Sequence, residues 1–381
     1  MGSDIPLGRI AGIKVGMNIT VLLVAGLFTV ALATKRFPFE QPGLSESAYW
    51  IAGAGGALLL FASLLVHEIG HALVARDEGI GVHSMALTLL GGVTRMESSP
   101  ATPAAELRVS VVGPLASAAC GVFLLCVSYV LPSGGLPGLV GFTLSWAGVL
   151  NLTLAAFNLI PATPLDGGKV LSALIWMRTG NQAVAMRWAA WTGIATGSGL
   201  ILAGIRDLQG HNVGSWGIWF AVVGGFILMS ALHELQAVPL YSLLDGVTVA
   251  DAMATAPPTA APWSTVADFL RTANPGPDDQ AYPVVSTDGR VTALLTATAI
   301  RSLPSEQWDS LPVSQLAFPI DRVVHLSPVE PLLPALQKVE GSDLRHGIVI
   351  DADGRVVGIV DPSALHRAVT AARAGLATVR P

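Results

Sequence analysis

Apolar and polar positions follow two different rhythms along this chain. Up to residue 238 the sequence runs in long apolar stretches, at 15–34, 47–75, 107–131, 138–160, 187–205 and 214–235. Each is close to the about 20 residues a helix needs to cross the hydrocarbon of a bilayer. Beyond residue 238 the apolar runs shorten to segments broken by Gly, Pro and Asp, the pattern of strands, turns and short helices. The predicted fold is an α-helical polytopic membrane domain of six spans over 1–238, followed by a smaller α/β domain. The first run follows Lys14, stops at Lys35-Arg36 and has no small-residue cleavage site, so it predicts a span rather than a cleaved leader.

Between the second and third spans, GIGVHSMALTLLGGVTRMESSP at 79–100 is apolar but too short to cross. Gly91-Gly92 would break a helix, whereas Thr88, Val93 and Thr94 suit extended structure. The segment is a hairpin, either on the surface or, the reading its apolar character favours, re-entrant into the membrane. The latter requires burial against protein or a wet cavity.

Charge sharpens the division. Hydrophobic residues make up 52% of the chain and charged residues 12%, against about 25% in soluble domains. Residues 1–238 carry 11 acidic and 11 basic side chains, so the whole net charge of −5 falls on residues 239–381. An ordinary soluble globule, a disordered chain and a basic nucleic-acid binder are excluded. Cys120 and Cys126 lie on one apolar run and cannot meet on a helix, which makes them packing residues. Short-loop cations set orientation. With the N-terminus inside, Arg9, Lys14, Arg76, Arg95, Arg108, Lys169, Arg178 and Arg187 are cytoplasmic, against Lys35, Arg36 and Arg206 outside. Six spans then leave the acidic C-terminal domain in the cytoplasm as well. Arg outnumbers Lys 17 to 4, which together with abundant Ala, Gly and Val suggests a GC-rich bacterial genome, so the expected location is the cell membrane of a prokaryote.

Ionisable groups are costly inside a span unless partnered, yet the second run ends in His67-Glu68-Ile69-Gly70-His71. In this H-E-x-x-H pattern the two histidines share a helix face and can point at one ion. Glu68 lies about 100° around, within reach of a water on that ion without being a ligand. A catalytic zinc takes three protein ligands and keeps one position open. Asp166, the only acid between Arg108 and Arg187, follows the helix-breaking Pro161 and Pro164 and reads as the missing ligand.

With these motifs the chain resembles the site-2 protease family of intramembrane zinc metalloproteases. The resemblance rests on His67–His71 and on Asn158, Pro161, Leu165, Asp166 and Gly167. Gly91-Gly92 and Gly113-Pro114 support it, and it covers most of residues 1–235. It implies one zinc per chain held by His67, His71 and Asp166, with Glu68 as the catalytic acid/base. Asn158 would hydrogen-bond the substrate backbone or the developing oxyanion, or else satisfy backbone freed by Pro161. Gly91 and Gly92 would line an extended substrate segment added to the hairpin edge. Implied substrates are single-pass membrane proteins such as anti-sigma factors. His83, His211 and His233 match no ligand position, and His233-Glu234 reads as an interfacial cap.

The C-terminal part contains a repeat. Tyr282–Val291 aligns, 65 residues on, with Gly347–Val356, each a strand, an Asp-Gly turn and a returning strand. Helices are predicted near 265–273, 297–303, 329–339 and 363–373. With the entry Val249–Met253, this resembles a tandem pair of cystathionine-β-synthase (CBS) domains, at 245–304 and 309–373. Nucleotide-binding pairs carry a G-h-h-[ST]-x-x-[DN] pattern. Here Ala299 replaces the acid after Thr296 in one repeat, and in the other Asp361 stands at the hydroxyl position with Ala364 in place of the acid, which argues against a nucleotide ligand. A homodimer through this pair is expected from the fold. Two rival functions remain at this stage: a CBS-regulated transporter or channel, and an inactive protease homologue that binds membrane clients.

Overall fold

The computed structural model describes residues 5–88, 91–96, 98–209, 216–273 and 281–373, without the side chains of residues 83, 91, 93, 95 and 371–373. His211 lies outside the described residues, as does the side chain of His83. The chain divides into two compact units, Met1–Val238 and Pro239–Pro381.

The first unit begins with two strands, β1 (Ile5–Ile10) and β2 (Ile13–Met17). Helix α1 (Ile19–Ala31) starts where the Asn18 side chain accepts a hydrogen bond from the Thr20 N–H at 3.0 Å. Helix α2 (Glu46–Asp77) is capped by Ser45. Then come β3 (Val82–Thr88) and β4 (Gly91–Met96). Helix α3 (Pro103–Tyr129) is capped by Thr102 and followed by α4 (Gly135–Asn158), α5 (Asp166–Thr179), α6 (Gln182–Gln209) and α7 (Trp216–Leu243). Among the described residues six helices are long and apolar enough to cross a membrane: Ile19–Glu40, α2, α3, α4, α6 and α7. Their outer faces expose Leu23, Ile51, Leu58, Phe123, Leu202 and Met229, a distribution suited to lipid rather than water. Small residues allow the helices to approach backbone to backbone. A Cβ on Gly121 would lie 2.8 Å from the Gly148 carbonyl, and one on Gly197 would lie 2.7 Å from that of Gly224.

Of the hairpin expected within 79–100, strands β3 and β4 are present and paired, but they are not alone. Strands β1 to β4 form one four-stranded sheet in that order, with β2 and β3 parallel and the other pairs antiparallel. The first span therefore begins at Ile19 and not at residue 15, because Ile13 and Val15 are core positions of β2. They pack with Met85 against Ala72, Leu65 and Ile69 of α2, which seats the sheet beside the H-E-x-x-H turn.

The second unit has the doubled α/β arrangement expected of a CBS pair. It opens with a short helix, α8 (Val249–Ala252), and strand β5 (Ala254–Thr255). Helix α9 (Val266–Ala273), β6 (Ala281–Val285), β7 (Val291–Thr296) and α10 (Ala297–Ser302) form the first repeat, with β8 (Phe318–Pro319) on β7. Strand β9 (Val324–Leu326), α11 (Leu332–Gly341), β10 (Gly347–Ile350), β11 (Val356–Val360) and α12 (Ala364–Arg373) form the second. The sheets run β6-β7-β8 and β5-β11-β10-β9. Both hairpin turns place their glycine in the left-handed region, Gly289 at φ +81° and Gly354 at φ +78°. Leu294 and Ile359, equivalent in the repeat, share one buried cluster with Ile348 and Val323.

Candidate metal centre and active site

His67 and His71 stand one turn apart on α2, and their Nε2 atoms are 3.1 Å from each other. Asp166, the first residue of α5, brings Oδ2 to 3.2 Å from His67 Nε2 and 3.3 Å from His71 Nε2. Gly167 and Gly168 let this helix start tight against its own approach loop, since Cβ atoms there would fall 2.4 Å from the Ile160 carbonyl oxygen and 2.5 Å from the Thr163 nitrogen. All three side chains are largely buried, and they form a metal-competent group.

Helix α3 backs the pair. The Nδ1–H of His71 donates to the Val109 carbonyl at 2.6 Å, and Nδ1 of His67 meets the Ser117 hydroxyl at 2.9 Å. Each histidine therefore spends Nδ1 on α3 and turns Nε2 toward Asp166, and for His71 the Nδ1–H leaves Nε2 with its lone pair. Gly113 sits between these two supports, where a Cβ would lie 2.2 Å from His71 Nε2 and 2.6 Å from His67 Nε2. Two imidazole lone pairs and a carboxylate so close together repel unless a cation or proton joins them. Burial alone would push the Asp166 carboxyl up, but when a proton joins them the hydrogen bonds from His67 and His71 hold it below the usual carboxylate range. Neighbouring ligands of a tetrahedral zinc with bonds of about 2.0 Å stand about 3.3 Å apart, so this donor set fits zinc in both chemistry and spacing.

Glu68 stands beside this triangle and is 8% exposed. Thr94 of β4 donates to its Oε2 at 3.1 Å. Gly92, two residues earlier on the same strand, packs directly on the carboxylate; a Cβ there would lie 2.1 Å from Glu68 Cδ. Gly91 begins β4, opposite Thr88. Asn158 is the half-buried last residue of α4, and among the described residues no hydrogen bond joins it to His67, Glu68, His71 or Asp166.

A family model described as peptidase family M50 matches residues 55–143 and 137–200, the stretch that holds both histidines and Asp166. Rip3 of Mycobacterium tuberculosis, named as a zinc metalloprotease, is 37% identical over 370 residues, covering 97% of this chain and 93% of its own. The chain belongs to peptidase family M50, the site-2 proteases. A second protein named as a zinc metalloprotease, sll0528 of Synechocystis, is 30% identical over 96% of this chain and 95% of its own. The solved site-2 protease of Methanocaldococcus jannaschii is 29% identical, covering 61% of this chain and 95% of that one, with a TM-score of 0.40.

This M50 member is thus a multi-pass membrane metalloprotease that uses zinc, and the transport reading is set aside. Several residues around its centre escape a reading of the motifs alone. Val109, Gly113 and Ser117 follow one another at four-residue spacing, so one face of α3 meets both imidazoles. That spacing is visible in the sequence, but nothing local says which helix it faces. Thr94 shares its strand face with Gly92, and this too becomes meaningful only once the strand lies on α2. On α7, His233 is exposed and Glu234 half-buried.

Proposed function

We propose that this site-2 protease cleaves single-pass membrane proteins, in or near their transmembrane segment, among them membrane-tethered regulators such as anti-sigma factors. In this reading His67, His71 and Asp166 hold one zinc, and Glu68 is the proton shuttle. Zinc, when bound, supplies Lewis acidity at a point where water is scarce. Glu68 accepts a proton from the attacking water and returns it to the amine nitrogen as the C–N bond breaks. A locally unwound substrate pairs with the free edge of β4, passing Gly91 and Gly92, and Asn158 bonds its backbone. The observation that carries this reading is the triangle of 3.1, 3.2 and 3.3 Å beside an acid that is not part of it.

The orientation proposed from loop charges places the N-terminus and the CBS pair in the cytoplasm of a prokaryotic cell. The CBS pair serves as a protein-contact or dimerisation module and not as an adenine-nucleotide sensor. Several contacts support this. The Thr296 hydroxyl is spent capping α10 through the Ala299 N–H, at 3.2 Å. Asp361 pairs with Arg367 at 3.2 Å and accepts from Ser363 at 2.7 Å. A cavity of about 460 Å³ beside Thr296 and Ala299 is lined by Leu316, Phe318 and the Asp343 carboxylate, a poor match to a polyanion.

The test uses full-length protein in detergent with a panel of single-span peptides, with and without chelator. Cleavage that stops with chelator, and a Glu68→Gln variant that keeps zinc but does not cleave, is expected. Normal cleavage by Glu68→Gln removes Glu68 from the mechanism, and absence of zinc removes the ligand set. Calorimetric binding of ATP or AMP to the full chain tighter than roughly 100 μM, about 5.5 kcal/mol, would overturn the reading of the CBS pair.

A further inference from the structure

We infer that Thr94 is a positioning residue for Glu68: its hydroxyl holds Oε2, so that Oε1 is the oxygen that receives the proton from the attacking water. The inference rests on the reading of Glu68 as the proton shuttle and adds a residue outside the H-E-x-x-H and Asp166 motifs. Its geometry comes from strand alternation. Gly92 lies opposite Leu87 and Thr94 opposite Met85, both 3% exposed, so this face of the hairpin is turned inward against α2. One residue along the strand gives the carboxylate room and the other gives it a donor. A one-residue slip would put Val93 against Glu68, with neither room nor hydroxyl.

The chemistry requires such a donor. A glutamate carboxylate has a broad terminal torsion and two equivalent oxygens. Left to itself it would present either one, at angles unrelated to the metal centre. Among the described residues no other hydrogen bond reaches this carboxylate, so Thr94 alone fixes its plane. The hydroxyl can donate only one proton, which leaves Oε1 with its lone pairs unspent. Strand β4 is also an edge of its sheet, so the residue that orients Glu68 lies on the strand to which an extended substrate would add.

The test compares wild type, Thr94→Val, Thr94→Ser and Glu68→Gln as full-length proteins in detergent, on a single-span peptide that the wild type cleaves, with zinc content measured alongside. Valine keeps the shape of threonine and removes only the hydroxyl. Thr94→Val is expected to lower kcat about tenfold or more, with KM within about twofold and zinc unchanged, and Thr94→Ser to recover most of the loss. Unchanged kcat in Thr94→Val, a loss carried by KM or by zinc content, or a serine variant no better than valine would each overturn the inference. Glu68→Gln separates the two levels. If it cleaves, the shuttle reading itself fails; if it is inactive while Thr94→Val is normal, only the role of Thr94 fails.

Discussion

Gly113 faces the Nε2 edge of His71 so closely that a Cβ on it would lie 2.2 Å from that nitrogen. One wall of the proposed zinc site is therefore bare helix backbone, and α3 both crowds the imidazoles and supplies their Nδ1 partners. A substitution here is felt by the two histidines before it is felt by the fold.

Gly113→Ala should leave the protein in the membrane with little zinc. Its Cβ would occupy space held by both Nε2 atoms, and neither ring can retreat without losing Val109 or Ser117. Elemental analysis of the purified variant checks this, and wild-type zinc content would contradict it.

Ser117→Ala should weaken zinc binding without abolishing it. Loss of a hydrogen bond to a ligating histidine typically costs about 10–100-fold in metal affinity. Competition with a graded chelator measures the shift, and cleavage should return when zinc is added in excess.

Gly92→Ala should have the opposite profile, with zinc retained and cleavage lost. The added methyl would lie 2.1 Å from Glu68 Cδ and drive the carboxylate off its present position, while His67, His71 and Asp166 remain in place. Zinc content and peptide cleavage on one preparation distinguish this from general unfolding.

A pH-dependent contribution is expected from Glu78, just past the end of α2, where Arg108 makes a two-pronged contact whose second bond is 2.8 Å. The hydrogen bond from Arg108 holds the Glu78 carboxyl below its ordinary value of 4.5. A depressed folded-state value means the pair stabilises the protein above the unfolded value and stops doing so as pH falls through the folded one. Glu78→Gln should therefore lower the Tm at pH 7, and the difference from wild type should close as pH drops below about 4. The solvent-exposed setting keeps the effect small.

The sequence by itself determined the presence of six long apolar helices, the repeat and the histidine motif on the second of them. Apolar runs of bilayer length, an i, i+4 histidine pair and an Asp-Gly turn repeated at 65 residues are local patterns, and local geometry fixes what they become. Tertiary structure alone decided the rest. Strands β1 and β2 are short, and only pairing of Lys14–Met17 with Ser84–Leu87 turns the start of an apolar run into sheet. The Val109, Gly113 and Ser117 face could have met lipid or any neighbouring helix; close packing of α2 on α3 sends it to the histidines. Thr94 and Glu68 lie 26 positions apart on elements of different period, and their bond exists because the buried face of the hairpin seats on the turn that carries Glu68. Side-chain period tells which residues share a face, and long-range packing tells what that face meets.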